Sequence, residues 1–280
     1  MKKNNLSTEV FERAAARGGW RGHLYFLQAM MRTNFAMAIE YRSSFVTQVF
    51  GMMINDSMWV FFWMLYFEKF PVLNGWGRQD LFVLWAVITF SFGIAFGLFA
   101  QALRLSELIS QGQLDYYLAL PKNALLHILV GQIRPANLGD LFFGPVLLAL
   151  FVEMSFQKWI WFFVGGVLGG AIYLSFFVII GSLAFFFGSS EGLAGGVGNA
   201  LIHFSTYPTR IFNGWTRVIL FTLIPAGFIA EVPVDLVRRF AVQDLIIMVA
   251  AAIVFLTIAW VIFHRGLRKY ESGNLMNLRS

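Results

Sequence analysis

The 280-residue chain contains no cysteine. Disulfides, thiolate metal sites and cysteine nucleophiles are therefore excluded, and the redox compartment leaves no mark on the sequence. No Gly-Lys dipeptide occurs, so there is no G-x-x-x-x-G-K-[ST] phosphate loop and no nucleotide hydrolysis by that route. No H-E-x-x-H occurs either. His23, His127, His203 and His264 form no i, i+4 pair that would chelate a metal, and each reads as an interfacial or packing residue. Charge is scarce too: Asp, Glu, Lys and Arg make up 13% of the residues, about half the share found in soluble domains.

What is present is apolar. Hydrophobic residues reach 58%, with 32 Phe, and apolar runs recur at about 20 residues, the length a helix needs to cross a hydrocarbon core. The alternating ten-residue strands of an outer-membrane barrel are missing. These features predict an all-α integral membrane protein. The spacing predicts six transmembrane helices, at about 44–67, 80–103, 134–154, 159–187, 190–210 and 242–264, so both termini share a side. The Lys2-Lys3 start leads into a polar stretch without a signal peptide's apolar core, so the N-terminal segment is expected to stay on the chain.

A formal charge of +6 is read here by sidedness rather than as a nucleic-acid surface. Lys69, Arg78, Lys158, Arg210, Arg217, Arg238 and Arg239 fall on one side of the six spans. The other two-thirds of the 21 Lys and Arg residues fall on the side of the termini. The positive-inside rule then places both termini, and the loop at 104–133, in the cytoplasm.

The expected organisation is a polar tail at 1–19, an interfacial helix at 20–43, a six-span domain at 44–264 and a cytoplasmic tail at 265–280. In the interfacial segment Trp20, Leu24, Leu27, Met31 and Phe35 recur at helical spacing, while Arg21, Gln28, Arg32 and Glu40 fall elsewhere. A helix packed on a soluble partner reads the same way. Residues 218–237 are apolar enough for a seventh span, but Pro225 and Pro233 interrupt them and Glu231 and Asp235 sit inside. A re-entrant or interfacial hairpin within 211–241 is the expected form.

Two acids lie in apolar surroundings. Asp56, beside Asn55, falls near the middle of the first span, where it either lines a pathway or subunit seam or holds helices together through hydrogen bonds. Asp140 falls in the third span. The pair does not fit the intramembrane aspartyl proteases, which carry Tyr-Asp and Gly-x-Gly-Asp where this chain has Asn-Asp and Asn-Leu-Gly-Asp. Glycines four apart recur at Gly93 and Gly97, at Gly165 with Gly169, and at Gly166 with Gly170, and EGLAGGVG opens the fifth span with Gly195, Gly196 and, just after, Asn199. Such spacing lets helices approach closely, within one subunit or at a dimer seam.

One polar stretch, RLSELISQGQLDYYLALPKN, lies between the second and third spans. It offers a helix-like start and a Gly112 break. LDYYLAL follows, with Leu114, Tyr117 and Leu118 at helical spacing, and Pro121 is the stop. In GQLDYYLALP, Gly112, Leu114, Asp115, Leu118 and Pro121 resemble the permease subunits of type-2 ATP-binding-cassette (ABC) exporters, in particular a bacterial branch of six-span permeases. Gly139 and Asp140 in LGDLFFG fit the same pattern, as do Tyr207-Pro208 with Pro225 and Pro233. So do Gly266, Leu267, Arg268, Tyr270, Ser272 and Asn274 in GLRKYESGN. The likeness runs over about residues 20–275.

The resemblance implies six spans, a preceding interfacial helix, a coupling helix between spans two and three, and a re-entrant element between spans five and six. It implies two facing permease subunits, identical or related, each docked on a nucleotide-binding subunit. ATP and Mg belong to those partners, and no cofactor or metal belongs to this chain. On that footing Tyr116, Tyr117 and Leu118 are expected to pack into a groove on the ATPase, with Glu107, Asp115 and Lys122 setting the register and Leu114 and Pro121 belonging to the same coupling surface. Asn55, Asp56, Gly195, Gly196 and Asn199 are expected at the pathway or dimer seam. The expected function is ATP-driven export across the bacterial inner membrane, with an amphipathic, drug-like or lipid-like substrate. A secondary transporter and a non-transporting anchor subunit stand as rivals, although Asp56 is the one clear midplane acid and no repeated halves are visible.

Overall fold

In hydrocarbon, backbone N–H and C=O groups must be satisfied within the segment itself, so apolar runs fold as helices. The computed structural model describes residues 19–120, 122–188 and 190–270, and these are helical, with no β-strand beyond an isolated bridge between Leu73 and Trp76. Pro121, Ser272, Asn274 and the tail up to residue 18 lie outside the described residues.

Helix α1 (Gly19–Glu40) is followed without a loop by α2 (Arg42–Lys69). The buried face of α1 is Gly22, Phe26, Ala29, Met30 and Asn34. That face is rotated from the expected stripe: Trp20 and Leu24 are exposed, leaving their apolar surface to an interface. A turn through Asn74 and Gly75, both at positive φ, leads to α3 (Arg78–Phe92), whose first turn is closed by Gly77 N–H donating to Asp80 Oδ2 at 2.8 Å.

Helix α3 does not run on to residue 103 as the apolar pattern predicts. At Gly93–Leu98 it widens into a π turn, and a 3-10 turn follows at Ala100–Arg104. The reason is tertiary. The Gly97 carbonyl accepts from Arg134 N–H at 3.1 Å, and Ala100 N–H donates to the Gln132 carbonyl at 3.2 Å. The chain therefore returns from its polar excursion to the place it left. That excursion contains α4 (Leu105–Ser110), the one-turn α5 (Asp115–Leu118) and α6 (Ala124–Leu129), which Asn123 caps by accepting from Leu126 N–H.

Helix α7 (Pro135–Phe151) starts on proline, whose missing N–H costs nothing at a first turn. It is followed by α8 (Phe156–Ser182), α9 (Ala184–Phe187) and α10 (Glu191–Ser205). Helix α8 is the axis of the bundle, packing against α3 and against two later helices, α12 (Ala226–Arg239) and α13 (Val242–Leu267). Its glycines serve packing within the chain: Ser91 Oγ donates to the Gly166 carbonyl at 3.0 Å, and a Cβ on Gly170 would meet the Ser91 carbonyl and Ile94. By contrast, a Cβ on Gly195 or Gly196 would meet nothing within 4 Å.

Among the described residues three segments are long and apolar enough to cross a membrane, Arg78–Leu98, Phe156–Phe187 and Val242–Leu267, and a bent pair, Gly214–Thr222 with Ala226–Arg239, would make a fourth if it is one span. The other three expected spans also fold as helices but fall short of that standard. Helix α2 has 28 residues and rises about 42 Å, so composition rather than length limits it. Helices α7 and α10 have 17 and 15 residues, or about 26 and 22 Å. Between α10 and α13 lie α11 (Gly214–Thr222) and α12, bent by 89° at a break that ends on Pro225. The acids that spoil this stretch as a span are paired: Glu231 accepts from Thr209, Arg210 and Arg217, Asp235 is bridged by Arg210, and Arg238 of α12 reaches Asp80 of α3 at 2.7 Å.

Candidate functional site

The polar segment after α3 is held from several sides. Arg104 and Glu107 form a two-pronged pair at 2.9 and 2.8 Å, and this bond holds the Glu107 carboxyl below its usual range. Glu107 thus has a partner inside the chain. Gly112 sits at φ +70°, a conformation that glycine adopts without strain, and it turns the chain into α5. Across that turn Leu114 is buried, and so is Tyr117, whose hydroxyl accepts from Gln101 Nε2 at 2.8 Å. Burial pushes the Tyr117 phenol up.

His127 of α6 donates from Nδ1 to the Tyr117 carbonyl at 3.3 Å, and its ring meets Tyr117 and Phe26 edge-on at 4.9 and 5.0 Å. Burial lowers its pKa, so the ring is neutral. Asn34 of α1 donates to the Val130 carbonyl at 2.6 Å. Ser110 donates to Glu191, in the first turn of α10, at 2.6 Å, and Asn123 lies 3.4 Å from His264 of α13. Tyr270, just beyond α13, faces Asp115 without a hydrogen bond of ordinary geometry. Burial, with the Asp115 carboxylate beside it, pushes its phenol up to about 12. The Lys122 ammonium lies 6.0 Å from the centre of the Phe26 ring.

This arrangement corrects part of the expectation. Leu114 and Tyr117 face the core and are not available to fill a partner's groove. The exposed surface of the segment is Tyr116, 70% exposed, with Leu118, Leu126 and Asp115 around it. Helical spacing placed Leu114, Tyr117 and Leu118 together, but in a one-turn helix it does not tell which side is covered. Gln101, His127 and Asn34, which fix the segment, carry no local signal in the sequence.

A second constellation lies deeper. A Cβ on Gly139 of α7 would clash with the Val49 carbonyl of α2, so glycine there lets the two backbones touch. The consequence is that Asp56 and Asp140, far apart in sequence, come side by side. Asn137 Nδ2 donates to Asp140 Oδ2 at 3.3 Å. Both acids are buried, at 4% and 1% exposure, and both line a cavity of about 180 Å³ between α2, α3, α7, α8 and α10. Asn55 also lines it, whereas Gly195, Gly196 and Asn199 stand exposed on α10 away from it. The contact between the acids is tertiary. The one cue in the sequence was that each sits in an apolar run with no basic residue near.

Among the described residues no three His, Cys, Asp or Glu side chains are grouped to hold a metal ion. A rigid polar turn at one end of the bundle and an acid-floored cavity inside it suit a membrane component that moves a solute and answers to another subunit. Comparison with known proteins agrees. The family model described as ABC-2 family transporter protein matches residues 53–273. No curated protein and no solved structure matches the chain. The chain belongs to the ABC-2 family of transporter proteins, as a multi-pass membrane component whose family works with an ABC ATPase subunit.

Proposed function

We propose that the chain is the permease subunit of a bacterial inner-membrane exporter, driven by ATP and Mg bound in two copies of a separate ATPase. In this reading the six spans are α2, α3, α7, α8, α10 and α13, both termini are cytoplasmic, and α11 with α12 forms a re-entrant element on the outer side. A second permease, identical or related, faces this one. Its seam involves the exposed faces of α2 and α10, where Asn55, Gly195, Gly196 and Asn199 lie. Glycine without a neighbour on one helical face favours a close-approaching partner helix.

The observation that carries the reading is the turn of α5. Tyr116 and Leu118 project from a segment tied to α1 through the Val130 carbonyl, to α10 through Ser110 and to α13 through Asn123. An exposed aromatic on a rigid support suits an anchor in a partner's pocket, and motion of that turn would reach several long helices. Closure of the ATPases would rock the two permease halves through residues 104–133.

The test is co-expression with a candidate ATPase followed by capture and ATPase assay. The double variant Tyr116→Ala/Leu118→Ala should keep the thermal stability of the chain and lose capture of the ATPase. Undiminished capture and turnover would overturn the assignment.

A further inference from the structure

The cavity between α2, α3, α7, α8 and α10 has an unusual wall. Its aromatic side includes Trp59 and Trp85, stacked at 6.0 Å with 17° between their planes, and Tyr173. Its floor is the Asp56 and Asp140 pair. Four buried polar atoms around it lack any hydrogen-bond partner: Asp56 Oδ2, Asp140 Oδ1, Trp85 Nε1 and the Tyr173 hydroxyl. The Tyr173 hydroxyl points toward Ser205, whose own O–H is committed to the Leu201 carbonyl, so Ser205 offers it no donor. Buried polar atoms are nearly always paired, so several unpaired ones converging on one cavity mark a place for a ligand.

The chemistry of that ligand follows from what the chain withholds. No Lys or Arg lines the cavity, and every ion pair found among the described residues lies elsewhere. The only imidazole lining it is that of His203. A carboxyl pair in a low-dielectric setting attracts a positive charge. A metal ion is a poor fit, because no third acidic, His or Cys ligand joins the two acids. Tryptophan faces beside carboxyls match an organic cation, held by the ring quadrupole and by charge together. About 180 Å³ holds a single ring or a compact ammonium head, and the cavity is only partly enclosed, leaving room for a tail to leave it.

We propose that this cavity binds an organic monocation, an alkyl- or aryl-ammonium group, with Asp56 and Asp140 as its counter-charge and Trp59 and Trp85 as its aromatic wall. The inference rests on the permease reading for its meaning, since it names the substrate class as cationic amphiphiles. It does not rest on that reading for its test.

The full chain is purified in lipid nanodiscs, and binding of radiolabelled phenyltrimethylammonium is measured by equilibrium dialysis against protein-free discs. The expected result is saturable binding, weakened at least about tenfold by the double variant Asp56→Asn/Asp140→Asn, which removes the single negative charge that two adjacent buried carboxyls carry. The uncharged tert-butylbenzene, of the same shape, should not compete. Trp59 is 46% exposed, so Trp59→Leu should fold and should weaken binding about threefold. It decides the matter if an acid variant fails to fold. Unchanged affinity in the folded variants, or competition by the uncharged probe, overturns the proposal. Capture of the ATPase without cation binding would leave the permease reading standing and remove the pocket. Cation binding by a chain that captures no ATPase would do the reverse.

Discussion

The hydroxyl of Tyr117 accepts a hydrogen bond from Gln101 Nε2 at 2.8 Å, joining the one-turn helix α5 to the 3-10 turn below α3. Tyr117→Phe keeps the ring and removes the acceptor, leaving a buried amide donor unpaired. The expected cost is about 1–2 kcal/mol, read as a lower thermal midpoint in nanodiscs. Tyr116→Ala, one residue away and exposed, should leave the midpoint where it is.

His127 gives the segment a pH dependence. Its folded pKa is depressed below the ordinary 6.5 by burial, so the unfolded chain binds the proton more readily. The contribution of the neutral ring is present above that ordinary value and is lost as the pH falls through the lower, folded value. Hydrogen exchange over residues 115–130 should therefore speed up at about pH 5.5 relative to about pH 7.5, beyond the intrinsic rate change. In His127→Gln that excess should vanish. An excess that persists in the variant would assign the effect to another group.

Gly139→Ala and Gly144→Ala place a methyl against the Val49 and Ala86 carbonyls. Each should cost about 1–3 kcal/mol through forced separation of helices, seen as a lower thermal midpoint. Gly195→Ala and Gly196→Ala have open space around them. They should leave the single chain as stable as before and weaken only association between permeases, which crosslinking from cysteines placed on α10 would report.

Glu231 is buried and accepts from Thr209, Arg210 and Arg217. Glu231→Gln keeps the shape and removes the charge that the two partly exposed guanidinium groups share. A loss of about 2 kcal/mol is expected. Protease nicking between α11 and α12, measured on nanodiscs, should increase in step.

The helices were legible in the sequence because apolar length and polar breaks dictate them locally. Pro225 and the buried acids Glu231 and Asp235 announced a broken segment, and the chain bends by 89° there. The π turn at Gly93–Leu98 was not legible, because it exists to accept Arg134 N–H from a distant segment. The site was partly legible. Asp56 and Asp140 were both singled out and weighed as a pair, but that they meet was not legible, since periodicity does not say which helices touch or at what height. Leu114 and Tyr117 read as docking residues and turned out to be core. One turn of helix has two sides, and only the packing of Gln101 and His127 distinguishes them.

The segment between α3 and α7 touches α1 through Asn34, α10 through Ser110 and α13 through Asn123. In mechanical terms it is a yoke. Its three ties run to helices from the beginning, the later middle and the end of the chain, so a displacement of this one turn would be shared among contacts that are far apart in sequence.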